Sequence, residues 1–283
     1  LKIRDVIARD LGKKIEPVVK VYDRAHLAED IHQFVLTDSL ARELRKFLDS
    51  FTESLRLRIR GGKGGDGMAV WLWGFFGSGK SHVAKVLGHL LENDVVETES
   101  NRRAIDIFNI HLDDPTLSSA TDLKASLAEI RNHAWCKTIP FEIKSKLNQS
   151  NPESVTEICL RSFYESLGFS STVWLARLEK KLQTEEVYDN FLSSYREKNR
   201  REWFADRPEH AFYLDEMVLA LATALGRSPE SARDMVTAYQ RDHARVSPEN
   251  FAQEIMDYLN TLSSQVKPGE PHIIFVIDEM GQF

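Results

Sequence analysis

Gly74-Phe75-Phe76-Gly77-Ser78-Gly79-Lys80-Ser81 is a complete G-x-x-x-x-G-K-[ST] stretch, set between the apolar run of residues 69–73 and an amphipathic run. The run before it, Ala69-Val70-Trp71-Leu72-Trp73, predicts a short strand. The run after it places Val83, Val86, Leu87, Leu90 and Leu91 at the i, i+3, i+4, i+7, i+8 spacing of one buried helical face. A strand, a glycine-rich turn and a helix in that order restrict the fold to an α/β core whose loop wraps phosphates. A glycine-rich turn with an incidental Lys-Ser is the bland alternative, and the flanking pattern argues against it.

The residue types follow from the chemistry of a nucleoside triphosphate with Mg²⁺. Gly74, Gly77 and Gly79 let backbone N–H groups approach the phosphates with no Cβ in the way, and the start of the helix adds a positive dipole end. Phe75, Phe76, Ser78 and His82 complete the stretch expected to line the ATP phosphates. Lys80 is expected to reach the β and γ oxygens, and the Ser81 hydroxyl to ligate Mg²⁺.

A second motif predicts hydrolysis. His272-Ile273-Ile274-Phe275-Val276-Ile277 is an apolar run of the kind found in a strand buried on both faces, and it ends in Asp278-Glu279. At the carboxyl end of a parallel strand, Asp278 would hold the Mg²⁺ shell and Glu279 would act as general base on the attacking water. Such an ending alone is weak. Together with the phosphate loop it defines a Walker A and Walker B pair.

Length and charge bound the rest. A chain of 283 residues lies near the size at which one core divides into two. The net charge of −6 argues against a general DNA-binding surface. Arg56, Arg58, Arg60 and Lys63 form a basic run, as do Lys198, Arg200 and Arg201; without interleaved aromatics both read as a solvated strand face or helix end. Cys136 and Cys159 stand alone, with no spacing that suits a disulfide framework or a Cys/His zinc site, so a reducing, cytoplasmic setting is expected. No apolar run is long enough to span a membrane.

Along the chain, residues 1–60 predict a mostly helical region. A short strand is expected near Val18-Val19-Lys20-Val21, then a helix on Leu27, Ile31, Phe34 and Val35, and another on Leu40, Leu44, Phe47, Leu48 and Phe51 capped at Thr37 or Asp38. Residues 61–67 read as a glycine-rich joint and 68–150 as the first part of the nucleotide core, with strands expected at 104–110 and 138–144 and a helix on Leu123, Leu127 and Ile130. From 151 to 267 the pattern is helical. Asn151-Pro152-Glu153, Ser228-Pro229-Glu230 and Ser247-Pro248-Glu249 each read as a cap, a first-turn proline and an acid, and Gly168 and Gly226 as C-caps. That stretch is too long to be a loop, so it is expected to be a helical insertion between the two nucleotide motifs, with 268–283 returning as the Walker B strand. A strand that ATPases with a catalytic glutamate place between the two motif strands is not found, which suggests the N-terminal part of a longer protein. His82, His111, Trp71 and Trp73 read as packing residues.

Five blocks together resemble one family: Lys2-Ile3-Arg4-Asp5-Val6, Arg9-Asp10-Leu11-Gly12-Lys13-Lys14-Ile15-Glu16, the stretch from Gly74 to His82, Phe141-Glu142-Ile143-Lys144, and Ile277-Asp278-Glu279-Met280-Gly281-Gln282-Phe283. The family is the large P-loop ATPase of BREX-type phage-defence systems, BrxC or PglY, and the resemblance spans nearly the whole chain. It implies an AAA-like ATPase, oligomeric at full length, working with a DNA methyltransferase and other defence proteins on or near DNA. Lys80, Ser81, Asp278 and Glu279 carry over by motif. A nucleotide-dependent switch or scaffold with little turnover is the alternative.

Overall fold

In the computed structural model residues 19–62, 69–97, 100–147, 153–242, 244–263 and 269–282 are described. Of the short strand expected at Val18-Val19-Lys20-Val21, residues 19–21 are described and form no strand, Val21 lying in a turn; Val18, most of the glycine joint and the Asn151-Pro152 cap lie outside the described residues. The chain is mostly helical with a small parallel sheet, and it divides into two compact units, Leu1–Glu142 with Lys267–Asp278, and Ile143–Val266 with Glu279–Phe283.

In the first unit, α1 (Leu27–Gln33) and α2 (Asp38–Ile59) form where the apolar spacing predicts them. Thr37 caps α2 by accepting from the Leu40 N–H at 3.3 Å, and Ala41, Leu44, Leu48, Phe51 and Leu55 make the buried stripe. Phe34 is buried just past the end of α1, while Val35, expected on the same face, is exposed because the chain has already turned. Arg56 and Arg58 lie in the last turns of α2, and Arg56 forks onto Glu129, so this basic run is a helix end.

Next come α3 (Lys80–Glu92), the antiparallel pair β1 (Val95–Glu97) and β2 (Arg102–Arg103), α4 (Ala104–Phe108), α5 (Ala120–His133) and β3 (Ala134–Glu142). The expected strand at 104–110 is replaced by α4. Asp106, third in that helix, accepts from the Arg103 N–H, and Ala104, Ile105, Ile107 and Phe108 are buried at helical spacing. One apolar cluster joins α1 through α5 with Cys136 of β3. Burial, then the Glu92 charge, pushes the Cys136 thiol up to about 12, and burial alone pushes the Cys159 thiol up to about 11; both stay inert thiols.

β3 pairs in parallel with β4 (Glu270–Asp278), from Ala134↔Glu270 to Glu142↔Asp278. Residues 273–277 were expected to be buried on both faces; all are partly exposed, because β4 hydrogen-bonds only to β3 among the described strands. Residues 69–73 correct a second expectation. They form no strand and join neither sheet, and Val70, Trp71, Leu72 and Trp73 are exposed, so neither tryptophan is a packing residue. A strand exists only with a partner for its N–H and C=O groups, and none of the described strands supplies one.

The helix α3 lies directly on the parallel sheet. A Cβ added at Gly88 would meet Val276 Cγ2 at 3.0 Å and Thr138 Cγ2 at 3.7 Å. Gly88→Leu is therefore expected to wedge α3 off the strands and cost roughly 1–3 kcal/mol. Thermal unfolding of the variant checks this; an unshifted transition would mean that the contact yields freely.

The second unit is helical throughout: α6 (Ile143–Lys146), α7 (Val155–Ser166), α8 (Val173–Thr184), α9 (Tyr188–Asn199), α10 (Trp203–Asp206), α11 (Leu214–Leu225), α12 (Pro229–Asp242) and α13 (Pro248–Ser263). Ser228 and Ser247 cap α12 and α13, accepting from Ser231 and Asn250 N–H groups at 3.2 Å each. The helix α7 begins later than expected because Ser154, accepting from the Glu157 N–H, provides the cap. Gly168 and Gly226 end α7 and α11 with φ of +87° and +61°. Trp174, Leu178, Phe191, Tyr195, Trp203 and Leu221 fill this unit's core. No helix among the described residues is long and apolar enough to cross a membrane.

Candidate phosphate-binding site

The loop ahead of α3 has the backbone its glycines permit. Gly77 and Gly79 sit at φ of +79° and +84°, where a Cβ is strained, and Gly79 is the N-cap of α3. A Cβ at Gly74 would meet Ser78 Oγ at 2.8 Å, so a side chain at position 74 would force the Ser78 hydroxyl to rotate away. Phe75 and Phe76 point to solvent at 91% and 104% exposure, and the loop is exposed as a whole. The Lys80 Nζ folds back over the loop and donates to the carbonyl oxygens of Gly74 at 3.0 Å and Phe75 at 2.9 Å.

The direction of α3 decides what this loop faces. Gly88 lies against Val276 and Thr138, and one turn later Glu92 accepts a hydrogen bond from Thr138, whose strand partner is Ile274, and lies near enough to Cys136, two residues earlier on β3, for its charge to act on that thiol. Moving forward along α3 thus moves backward along the strands, so the helix runs antiparallel to β3 and β4. From Gly88 back to Ser81 is about 10 Å of helix, and from Val276 on to Asp278 is about 7 Å of strand. Ser81 and Asp278 therefore lie toward the same end of the sheet, where Asp278 pairs in register with Glu142. An acid at the carboxyl end of a parallel strand, with the start of a helix toward the same end of the sheet, is the arrangement that ligand sites on such sheets use.

Glu279 stands apart in two respects. It is exposed, and its φ of +57° is a left-handed backbone unusual for glutamate.

His82, named with the phosphate loop, turns its ring away to α1. Its Nε2 lies 2.7 Å from the Asp30 carbonyl oxygen and the ring meets Phe34 edge-on at 5.3 Å. His111 likewise holds the Ile31 carbonyl oxygen at 2.6 Å, a packing role. Sequence reasoning missed Lys85 and Asp30, a buried ion pair at 2.6 Å that ties α3 to α1. Lys85 falls among Val83, Val86 and Leu87, where an isolated lysine gives no sign that it is buried.

No family model and no solved structure matches the chain.

Proposed function

We propose that the chain binds ATP with Mg²⁺ in a P-loop core and serves as an ATP-hydrolysing component of a bacterial phage-defence complex of the BREX type. The observation that supports it is the antiparallel course of α3 on β3 and β4, which brings the end of the helix carrying Lys80 and Ser81 toward the strand end carrying Asp278. The left-handed glycines and the crowded Gly74 make a cradle that fits a polyphosphate. Ser81 and Asp278 offer the hard oxygen donors that Mg²⁺ takes, and the ion would neutralise charge between the outer phosphates. In this reading Lys80 leaves the Gly74 and Phe75 carbonyls for phosphate oxygens, and Glu279 orients a water and accepts its proton. The defence setting, the methyltransferase, DNA and assembly partners and a cytoplasmic location rest on the resemblance of the sequence blocks alone.

The exposed position of Glu279 supports a second reading, in which nucleotide binding sets the conformation of the chain and turnover is slow. Titration calorimetry with MgATP tests the shared first step. Lys80→Ala removes charge-assisted contacts worth roughly 1.5–3 kcal/mol each, so affinity is expected to fall tenfold or more. Equal affinities would remove Lys80 from the site. Phosphate release by the full-length protein, with and without its defence partners, separates the two readings; background release in every combination selects the switch.

A further inference from the structure

At the C-terminal end of α3, His89, Glu92 and Asp94 each bring one donor atom within 4.8 Å of the others. His89 and Glu92 share a helix face at i, i+3, and Asn93, at φ of +51°, turns the chain so that Asp94 rejoins them. His89 is 2% exposed and its Nδ1 has no hydrogen-bond partner. A buried ring nitrogen without a partner calls for an explanation. The cluster already attracts a cation: the Arg24 guanidinium stands 3.6 Å from Glu92 and in close contact with Asp94, yet its side chain is half exposed and able to swing out. Thr138 donates to the Glu92 carboxylate and orients it, and the negative end of the helix dipole falls at the same place.

We propose that His89, Glu92 and Asp94 form a site for a divalent transition-metal ion, Zn²⁺ by its donor set, which takes the place of the Arg24 guanidinium. One imidazole and two carboxylates suit Zn²⁺; Ca²⁺ and Mg²⁺ favour oxygen donors throughout. A search by cysteine and histidine spacing alone misses such a site because two of its three ligands are carboxylates.

The test uses the full chain stripped with chelator, in nucleotide-free buffer, titrated with Zn²⁺ by calorimetry and with Co²⁺ by visible absorption. One equivalent is expected to bind, with an intense Co²⁺ band from a low-coordinate N/O site. Glu92→Gln and Asp94→Asn, both at partly exposed positions, are each expected to weaken binding by about tenfold or more. His89→Ala is expected to abolish it, and Arg24→Gln to tighten it. Lys80→Ala is expected to leave it unchanged, which separates this site from the phosphate loop. Absence of binding in both the wild type and Arg24→Gln overturns the proposal. So does an affinity that none of the His89, Glu92 and Asp94 variants alters.

Discussion

In Glu279→Gln, ATP is expected to stay bound while phosphate release falls by roughly 10²–10⁴, the usual contribution of a positioned general base. Glutamine keeps the length and shape of the side chain and loses its basicity, so a loss confined to turnover isolates proton transfer. The backbone makes the comparison clean. Glu279 is held at φ of +57°, a conformation that costs a non-glycine residue on the order of 1 kcal/mol, and glutamine bears the same strain. A companion, Glu279→Gly, suits that φ; it is expected to lose turnover to the same degree and to unfold no more easily than the wild type. Nucleotide retention by equilibrium binding and turnover by steady-state phosphate release, both on the full-length protein, are the measurements. Normal turnover in Glu279→Gln would assign the residue a structural role only, and strongly weakened ATP binding would point to a ligand role in place of a base.

The largest expected effect on stability lies in the helical unit, at Glu179 of α8. This carboxylate is 1% exposed. One oxygen accepts from Trp203 Nε1 at 2.7 Å and from the Tyr188 hydroxyl at 3.1 Å; the other accepts from the Ser170 N–H at 2.7 Å; Arg207 lies within 3.5 Å of both. Burial, followed by the Glu179 charge, raises the Tyr188 phenol above its ordinary range, so that hydroxyl remains a donor. Four donors from three other segments of the unit thus converge on one side chain. Glu179→Ala leaves them without an acceptor and leaves Arg207 without its counter-charge, for an expected loss of about 3–5 kcal/mol. Glu179→Gln is expected to lose less, since one acceptor oxygen survives while its NH₂ opposes a donor. Denaturant unfolding followed by tryptophan fluorescence reads this directly, because Trp203 and Trp174 sit in the same core. A loss below about 1 kcal/mol for the alanine variant would show that the donors find other acceptors.

Local chemistry was readable from the sequence wherever a decision involved only neighbouring residues. Thr37, Ser228 and Ser247 cap their helices, Gly168 and Gly226 take the left-handed turns, and the apolar stripes of α2 and α5 turn inward as spaced, whereas α3 buries Lys85, Gly88 and His89 beside Val86, Leu90 and Leu91 and leaves Val83 and Leu87 partly exposed. Short apolar runs were not decidable in this way. Residues 104–110 have β-branched content that suits a strand, yet Asp106 closes a helical turn and the surrounding helices offer a cluster to bury in. Residues 69–73 read as a strand from composition, but pairing is a property of the neighbour as much as of the run. The same limit applies at the candidate site. The glycines and the acid after the apolar run are visible in the chain, whereas the parallel register of β3 with β4, the direction of α3 and the meeting of His89 with Asp94 depend on contacts between residues distant in sequence or on a backbone turn.

The Lys80 ammonium is partly committed to its own loop. The carbonyl oxygens of Gly74 and Phe75 take two of its three donors, which leaves one for an incoming anion without rearrangement. Each carbonyl bond contributes on the order of 1 kcal/mol net, so drawing the lysine wholly off the loop costs about as much as one charge-assisted contact returns. Under the proposed function, a ligand that presents several phosphoryl oxygens at once would gain more from that transfer than one that presents a single oxygen.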